Sequence, residues 1–322
     1  MEKFDTRMIK AWVFLVIFWF LCDTSHGAVV PDFTGDQETS AVVNEPGLSV
    51  KEGRNGMYKE VEVAVGGIAR STVGDSQSAY SLAAGKFNLG IGPVNGEFKA
   101  LHFAWDRPDA FVVDTSGRDP WDTLYEVSLG YRHPGEISER LSYELMLGAA
   151  SGFEKQLDGS LSFSAGGYLL YQLAPKWTLA AGGLYSRHQN VNTDFDFIPI
   201  IGISWNAEAT QGLSFTLGLP SSDVTWHFNE KTRVILELSS FEGGVFRLAD
   251  NSPVREKGYV ELLSTSCTLR LETLLWDRLQ VSAGISQPIS REMKLYDHQG
   301  KNEKKYDVEK LPGFILSMSL PF

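Results

Sequence analysis

The stretch Gly313-Phe-Ile-Leu-Ser-Met-Ser-Leu-Pro-Phe322 closes the sequence and alternates between two kinds of side chain. Large apolar residues occupy every second position from Phe314 to Phe322, and Ser317 and Ser319 lie between them. Because successive side chains of a strand point to opposite faces, this pattern predicts a strand with one apolar and one polar face. Such a strand suits a wall between an apolar and an aqueous medium.

Composition narrows the class of protein. A net charge of -11 and a pI of about 5.1 oppose binding to nucleic acid or to anionic membrane surfaces, which requires clustered Lys and Arg. Although 43% of the residues are hydrophobic, the mean hydropathy is only -0.13. A helical membrane protein needs spans of about 20 nearly continuous apolar residues. A transmembrane barrel has intermediate values, because polar residues that face its lumen dilute those that face lipid.

The amino-terminal part predicts export. A basic start, an apolar run over residues 11–22 and small residues before Ala28 are typical of a secretory signal peptide, which we place at residues 1–27. Residues 28–56 are polar and predict a flexible periplasmic lead-in. Removal of the signal peptide would leave Cys267 as the single cysteine, which excludes an internal disulfide and a cysteine-based zinc site.

From residue 57 onward, the alternation predicts a series of strands. We place them at residues 57–70, 79–94, 96–105, 123–132, 140–150, 160–173, 177–187, 197–207, 213–219, 223–228, 232–248, 258–275, 279–296 and 313–322. If the two short segments around Pro220 form one bent strand, the number falls from 14 towards 12.

The connections alternate between short and long polar segments. Short turns are predicted at Asn95-Gly96, His133–Gly135 and 174–176, for example, whereas 106–122 and 297–312 are long. This alternation is typical of short periplasmic turns and long outer loops. The predicted fold is therefore all-β: an antiparallel up-and-down transmembrane β-barrel of 12–14 strands over residues 57–322.

The final aromatic residue indicates where in the cell the protein is located. A closing strand that ends on Phe322 resembles the insertion signal of bacterial outer-membrane barrels, with Met318 and Leu320 on the same face. The resemblance implies outer-membrane lipid and the barrel-assembly machinery as partners, and the bacterial outer membrane as the location.

Several internal segments resemble a family of predicted outer-membrane β-barrels that is classed as a domain of unknown function. They are Asp122-Thr-Leu-Tyr-Glu-Val-Ser-Leu-Gly-Tyr131, Pro134-Gly-Glu-Ile-Ser138, Leu179-Ala-Ala-Gly-Gly-Leu-Tyr185, Ile198-Pro-Ile-Ile-Gly-Ile-Ser-Trp205 and Leu217-Gly-Leu-Pro220. The similarity covers about residues 57–322. It implies a fold and a location but no activity, so it supplies no functional residues.

The sequence offers little catalytic chemistry. It contains no Gly-Xaa-Ser-Xaa-Gly elbow, His-Glu-Xaa-Xaa-His pair or Walker loop. We expect His133, His188 and His298 to be solvated in turns or loops. The loop carboxylates at 106–122 and 194–196 invite a calcium site, but calcium needs six to eight oxygens around one point. We therefore predict no catalytic, cofactor-binding or metal-ligating residue and no cofactor.

Charged residues on the predicted strands carry more information. A charge that faces lipid near the bilayer midplane costs several kcal/mol, so strand charges are expected to face the lumen. The predicted lumen-lining residues are Glu60, Glu62, Glu126, Arg132, Glu144, Arg233, Glu237, Arg270 and Glu272. They fit a charged pore constriction, and they equally fit a network of ion pairs that plugs a narrow barrel.

The leading functional prediction is a passive pore for a small solute, or a barrel whose outer loops bind a ligand. One alternative is a barrel-embedded enzyme, such as a lipid hydrolase or a protease, with its site at the outer rim. Another alternative, from a different class, is an exported soluble β-protein.

Overall fold

The computed structural model describes residues 59–108, 118–193, 196–206, 211–276, 278–301 and 304–322. The predicted signal peptide and lead-in, and the carboxylates Asp109, Asp114 and Asp194, lie outside these ranges. The strands are β1 (Lys59–Thr72), β2 (Ala79–Ile91), β3 (Val94–Asp106), β4 (Thr123–Ser138), β5 (Leu141–Phe153), β6 (Leu161–Ala174), β7 (Trp177–His188), β8 (Phe197–Asn206), β9 (Gly212–Leu219), β10 (Ser221–Asn229), β11 (Thr232–Arg247), β12 (Tyr259–Leu275), β13 (Leu279–Tyr296), β14 (Lys304–Asp307) and β15 (Gly313–Pro321).

The strands close into an antiparallel barrel. Each strand from β1 to β13 pairs with its neighbours in the sequence, and β15 pairs with both β13 and β1. The short β14 lies outside this circle and extends the sheet beside the outer part of β13. Fourteen strands thus form the wall, which confirms the predicted all-β up-and-down barrel. Among the described residues, no helix is long and apolar enough to cross a membrane.

The closing strand β15 has the predicted two faces. Phe314, Leu316 and Met318 are exposed on the outer surface, at 45%, 44% and 39%. Ser317 on the other face shares a 2.8 Å hydrogen bond with Ser282 of β13. Large exposed apolar side chains occur all round the wall, as at Leu147, Leu169, Ile201, Leu236 and Leu269, because a wall in contact with lipid keeps its apolar side chains outside.

Two predicted turns are wrong. The β2–β3 turn lies at Gly92-Pro93, where Gly92 has a φ of 60°, whereas Asn95 and Gly96 are paired within β3. A tight hairpin turn needs a positive φ, which glycine adopts at little cost. The second error is at His133–Gly135: β4 continues through it, with Pro134 opposite Glu144, and turns after Ser138.

The wall of the barrel is shorter at the β9–β10 hairpin than at the neighbouring strands. Its strands, of eight and nine residues, are joined by Pro220 alone. The expectation that connections at this end of the barrel are long is therefore wrong for this hairpin. Pairing between β8 and β9 begins at Ile201 opposite Leu219. Residues 197–200 of β8 therefore extend beyond the hairpin and pair only with β7.

Next to this hairpin, β11 leaves the wall and crosses the interior. Its register against β12 shifts between Ser239 and Glu242, and Phe241 and Gly243 have φ values of 65° and 146°. Beyond the shift, β11 keeps its pairing with β12 and also pairs in parallel with β5, Phe246 opposite Gly152 and Arg247 opposite Phe153. The shift means that β11 has one more residue than β12 at this point, and an extra residue of this kind bends a strand sharply. This crossing divides the half of the barrel that contains Pro220 into two compartments. The larger compartment is bounded by β1 to β5, the crossing part of β11, β12, β13 and β15, and the smaller one by β5 to β8 and the crossing part of β11.

The last residue is fixed against the first described strand. Phe322 N–H donates a 2.9 Å hydrogen bond to Lys59 O, and Lys59 Nζ lies 5.9 Å from the Phe322 ring centroid. We predict that deletion of Phe322 impairs closure and lowers the yield of membrane-inserted protein, measured with heat-modifiable electrophoretic mobility. Wild-type mobility and yield in the deletion would contradict this role, and a Pro321→Ala variant is the control for a change at the same end.

Candidate functional site inside the barrel

A first group of charged side chains lies on the inner faces of β1 to β4. Lys86, Lys99 and Glu126 are 7%, 5% and 6% exposed. Lys86 Nζ is 3.2 Å from Glu97 Oε2 and 3.9 Å from Glu62 Oε2. The sequence reasoning missed Lys86, Glu97 and Lys99, although alternation with the exposed Phe87 and Phe98 indicates their inward direction.

A second group lies on the inner faces of β11 and β12. Arg233 Nε is 2.5 Å from Glu272 Oε2, and Arg270 lies 3.4 Å from Glu237 and 3.3 Å from Glu272. Gln280 Nε2 donates to Glu272 at 3.1 Å. Glu237 and Glu272 are only 6% and 5% exposed, so two guanidinium groups compensate two buried carboxylates.

The remaining predicted residues also lie on inner faces. Arg132 is 4.0 Å from Glu144, which accepts a 3.0 Å hydrogen bond from Tyr168 OH. Glu60, near the start of β1, accepts a hydrogen bond from Ser319 Oγ. The nine predicted residues therefore fall into separate groups around the interior, and their contact with a solute remains a prediction.

Apolar side chains fill the larger outer compartment. Inner-face residues of β1 to β4 pack against those of β11 to β13, among them Ile68, Leu82, Leu101, Phe103, Leu124, Phe246, Val260, Met293 and Leu295, none more than 4% exposed. This compartment has a packed core like that of a soluble domain. The sequence reasoning considered charge networks as the plug, whereas here apolar side chains provide it.

The junction of β11 with β5 is reinforced by hydrogen bonds. Glu154 N–H donates to Arg247 O at 2.8 Å, and Ala249 N–H donates to the Glu154 carboxylate at 2.7 Å. Burial raises the pKa of Glu154, and the hydrogen bond from Ala249 opposes that change. Arg247 pairs with Asp250 at 2.8 Å. Backbone and side chains thus hold the two strands together.

The smaller compartment contains a cavity of about 120 Å³. It reaches from Glu97, Glu126 and Ser128 of the first charged group to His188 and Thr193 near the outer rim. Serines from β6 and β7 line one side, and Ile198, Phe241, Val245 and Leu263 contribute apolar surface. A cavity of this size accommodates a small molecule or a few waters.

His188 is the chemically distinctive residue of this cavity. It is 3% exposed, so the expectation that it is solvated is wrong. Its Nδ1 accepts hydrogen bonds from the N–H groups of Asn190 and Val191, at 3.2 and 3.1 Å. Because Nδ1 is an acceptor, Nε2 carries the proton in the neutral ring. The Nε2 atom makes no hydrogen bond of normal geometry within the described part of the chain, and the Ser160 backbone lies near the ring.

Other candidate chemistry is sparse. Ser214 Oγ and His227 Nε2 are 3.1 Å apart in the β9–β10 hairpin, and His102 Nδ1 lies 3.1 Å from Thr123 Oγ1. In the ranges that the structure describes, no three His, Cys, Asp or Glu side chains are grouped so as to hold a metal ion. Cys267 is a half-buried free thiol on β12.

Comparison with known proteins gives matches only among solved structures. No family model matches the sequence, and no curated protein matches it; the resemblance to the family of unknown function stays a prediction. The KdgM porin aligns at 7% identity and a TM-score of 0.34, covering 82% of this chain and 99% of that chain. The toluene transporter TodX of Pseudomonas putida aligns at 9% and 0.34, covering 91% and 96%. OccK11 of Pseudomonas aeruginosa aligns at 11% and 0.27, covering 84% and 99%.

Proposed function

We propose that this protein is a passive channel for small solutes in the bacterial outer membrane, reached through the signal peptide predicted at residues 1–27. The observation that carries the proposal is the cavity of the smaller compartment, which meets the charged interior at Glu97 and Glu126. A solute from the periplasmic side would pass the charged groups and enter this cavity. Apolar side chains of the described residues pack in the larger compartment, so we expect a low conductance.

The charges of the interior predict ion preference. Carboxylates outnumber cationic groups among the inner-face residues of the first two groups together with Asp223, which lies beside Glu237. A pore lined by net negative charge favours cations. We expect a reversal potential of cation-selective sign in planar bilayers under a KCl gradient. Glu126→Gln, in the cavity, should reduce that preference.

The matched control is Glu256→Gln, an exposed residue of the connection between β11 and β12, which should leave the preference unchanged. Bilayers that carry no current at any voltage, with protein proven to be inserted, would refute the channel. A reversal potential of anion-selective sign would refute the proposed role of the carboxylates.

A further inference from the structure

One wall of the cavity belongs to the outside of the barrel. Leu263 lines the cavity and lies on the same face of β12 as Leu269 and Leu271, which are 53% and 48% exposed on the outer surface. The extra residues that shift the register near Leu263 are in β11 and β13, so β12 itself keeps its alternation. Residues separated by an even number of positions in a strand lie on the same face, so Leu263 is on the outer face with Leu269 and Leu271.

The opposite wall belongs to the inside. Leu184 of β7 and Ile198 of β8 line the cavity and are 4% and 7% exposed, whereas their neighbours Tyr185 and Phe197 are 44% and 60% exposed outside. The cavity therefore lies between an inner face and an outer face of the same sheet. A space bounded in this way lies between the interior and the lipid-facing surface.

The strand pairing provides the opening. Residues 197–200 of β8 pair only with β7. Beyond Ser240, which donates a 3.0 Å hydrogen bond to Pro220 O, β11 pairs with β12 and β5 instead of β10. We call the space above the β9–β10 hairpin, between residues 197–200 and the crossing part of β11, the lateral gap. The lateral gap borders Ile198 and Val245, which line the cavity.

The top of the cavity is covered. Asn190 Nδ2 donates a 2.7 Å hydrogen bond to Tyr259 OH, and Val191, Tyr259 and Tyr296 form a buried cluster, each at most 2% exposed. The His188 ring packs edge-on against Tyr259, with centroids 5.3 Å apart. These contacts tie the β7–β8 loop to β12 and β13 above the cavity.

The lining indicates the kind of molecule. Apolar surface from Ile198, Val245 and Leu263 faces a polar side that includes His188. The neutral His188 ring has an Nε2–H donor that makes no hydrogen bond of normal geometry to the described residues, although the Ser160 backbone lies near the ring. A buried donor gains free energy when it meets a well-placed acceptor. A ligand with a small apolar body and one acceptor oxygen satisfies both sides.

We propose that the cavity is a lateral passage between the interior and the outer leaflet, and that it takes small amphipathic molecules that carry an oxygen acceptor for His188. This inference rests on the proposed channel function and specifies its substrate class and its route. Lipid chains would border the lateral gap on the membrane side.

Lipid quenching tests the route. In a Cys267→Ser background, single Leu263→Cys, Leu269→Cys and Ser317→Cys proteins are labelled with bimane and reconstituted with brominated phosphatidylcholine. We expect quenching at Leu263→Cys close to that at the lipid-facing Leu269→Cys and well above that at the inner-face Ser317→Cys. Quenching at Leu263→Cys as low as at Ser317→Cys would overturn the lateral passage.

Ligand titration tests the substrate class. Hexan-1-ol should change the emission of bimane at Leu263→Cys in a saturable way, while glucose should not, and the label at Leu269→Cys should show no saturable response. His188→Asn keeps an acceptor oxygen for the Asn190 and Val191 N–H groups, and its shorter amide no longer places a donor at the position of Nε2, so hexan-1-ol binding should weaken by about five-fold. Equal responses to glucose and hexan-1-ol, or unchanged affinity in a folded His188→Asn protein, would overturn the assignment.

The two proposals fail in different ways. Absence of current in planar bilayers together with lipid quenching at Leu263→Cys would refute the channel and leave a lipid-accessible binding site. Current through a protein whose Leu263→Cys label is shielded from lipid would support the channel and refute the lateral route.

Discussion

Replacing Gly152 with alanine is expected to raise the conductance of the barrel and to lower its unfolding free energy by about 1–3 kcal/mol. A Cβ at this position would overlap the carbonyl oxygen of Val245 and press on the Phe246 ring. The crossing part of β11 would have to move away from β5, with loss of their parallel pairing. The two outer compartments would then merge. Single-channel recording and urea unfolding in micelles measure the two effects.

The control for this change is Gly85→Ala, because a Cβ at Gly85 has no atom within 4 Å. That variant should match the wild type in conductance and stability. If Gly152→Ala behaved like Gly85→Ala in both measurements, the junction of β11 and β5 would not be the element that divides the interior.

Replacing Arg270 with methionine is expected to destabilise the barrel by on the order of 3 kcal/mol. Arg270 is the cation between Glu237 and Glu272, and their side chains are only 7% and 6% exposed. Removing one partner of a buried ion pair leaves charge without compensation in a poorly hydrated place. The measurement is the temperature at which the folded electrophoretic form is lost, supported by urea unfolding.

Arg70→Met is the matched control. Arg70 pairs with Asp106 at 2.7 Å, but both side chains are about half exposed, and a solvent-exposed ion pair contributes roughly 0–1 kcal/mol. A loss of stability in Arg270→Met no larger than in Arg70→Met would show that the interior around Glu237 and Glu272 is well hydrated. The second charged group would then be solvent-filled lumen instead of a structural network.

Most of the fold could be predicted from the local periodicity of the sequence. The alternation in β15, β12 and β6 follows directly from the two faces of a strand, so the strands and the inward direction of Glu126, Arg270 and Glu272 could be predicted. Turn positions were harder to predict from the sequence. The positive φ at Gly92 depends on the pairing of β2 with β3, and the continuation of β4 through Pro134 depends on its pairing with β5. Lys86 and Lys99 obeyed the same alternation and were overlooked.

The features that shape the interior depend on contacts between distant residues. The pairing of Phe246 with Gly152 joins strands that are six positions apart in the sheet, and no local pattern in β11 indicates that partner. The pair Gly243-Gly244 by itself indicates only a bend or a bulge. The burial of His188 follows from Tyr259 and the β7–β8 loop, which the sequence near His188 does not reveal. Period-2 alternation places Val260 and Leu262 on one face of β12, but it does not show that Val260 belongs to an apolar core and that Leu262 packs against that core.

The crossing of β11 is the central feature of this account, and a disulfide tests it most directly. Phe153 and Arg247 are opposite each other in the parallel pair, whereas six strand positions in an undivided wall correspond to about 29 Å along the wall. In a Cys267→Ser background, Phe153→Cys with Arg247→Cys should form an intramolecular disulfide under mild oxidation, and Phe153→Cys with Leu236→Cys should not. Free, maleimide-reactive cysteines in the first pair would contradict the divided barrel.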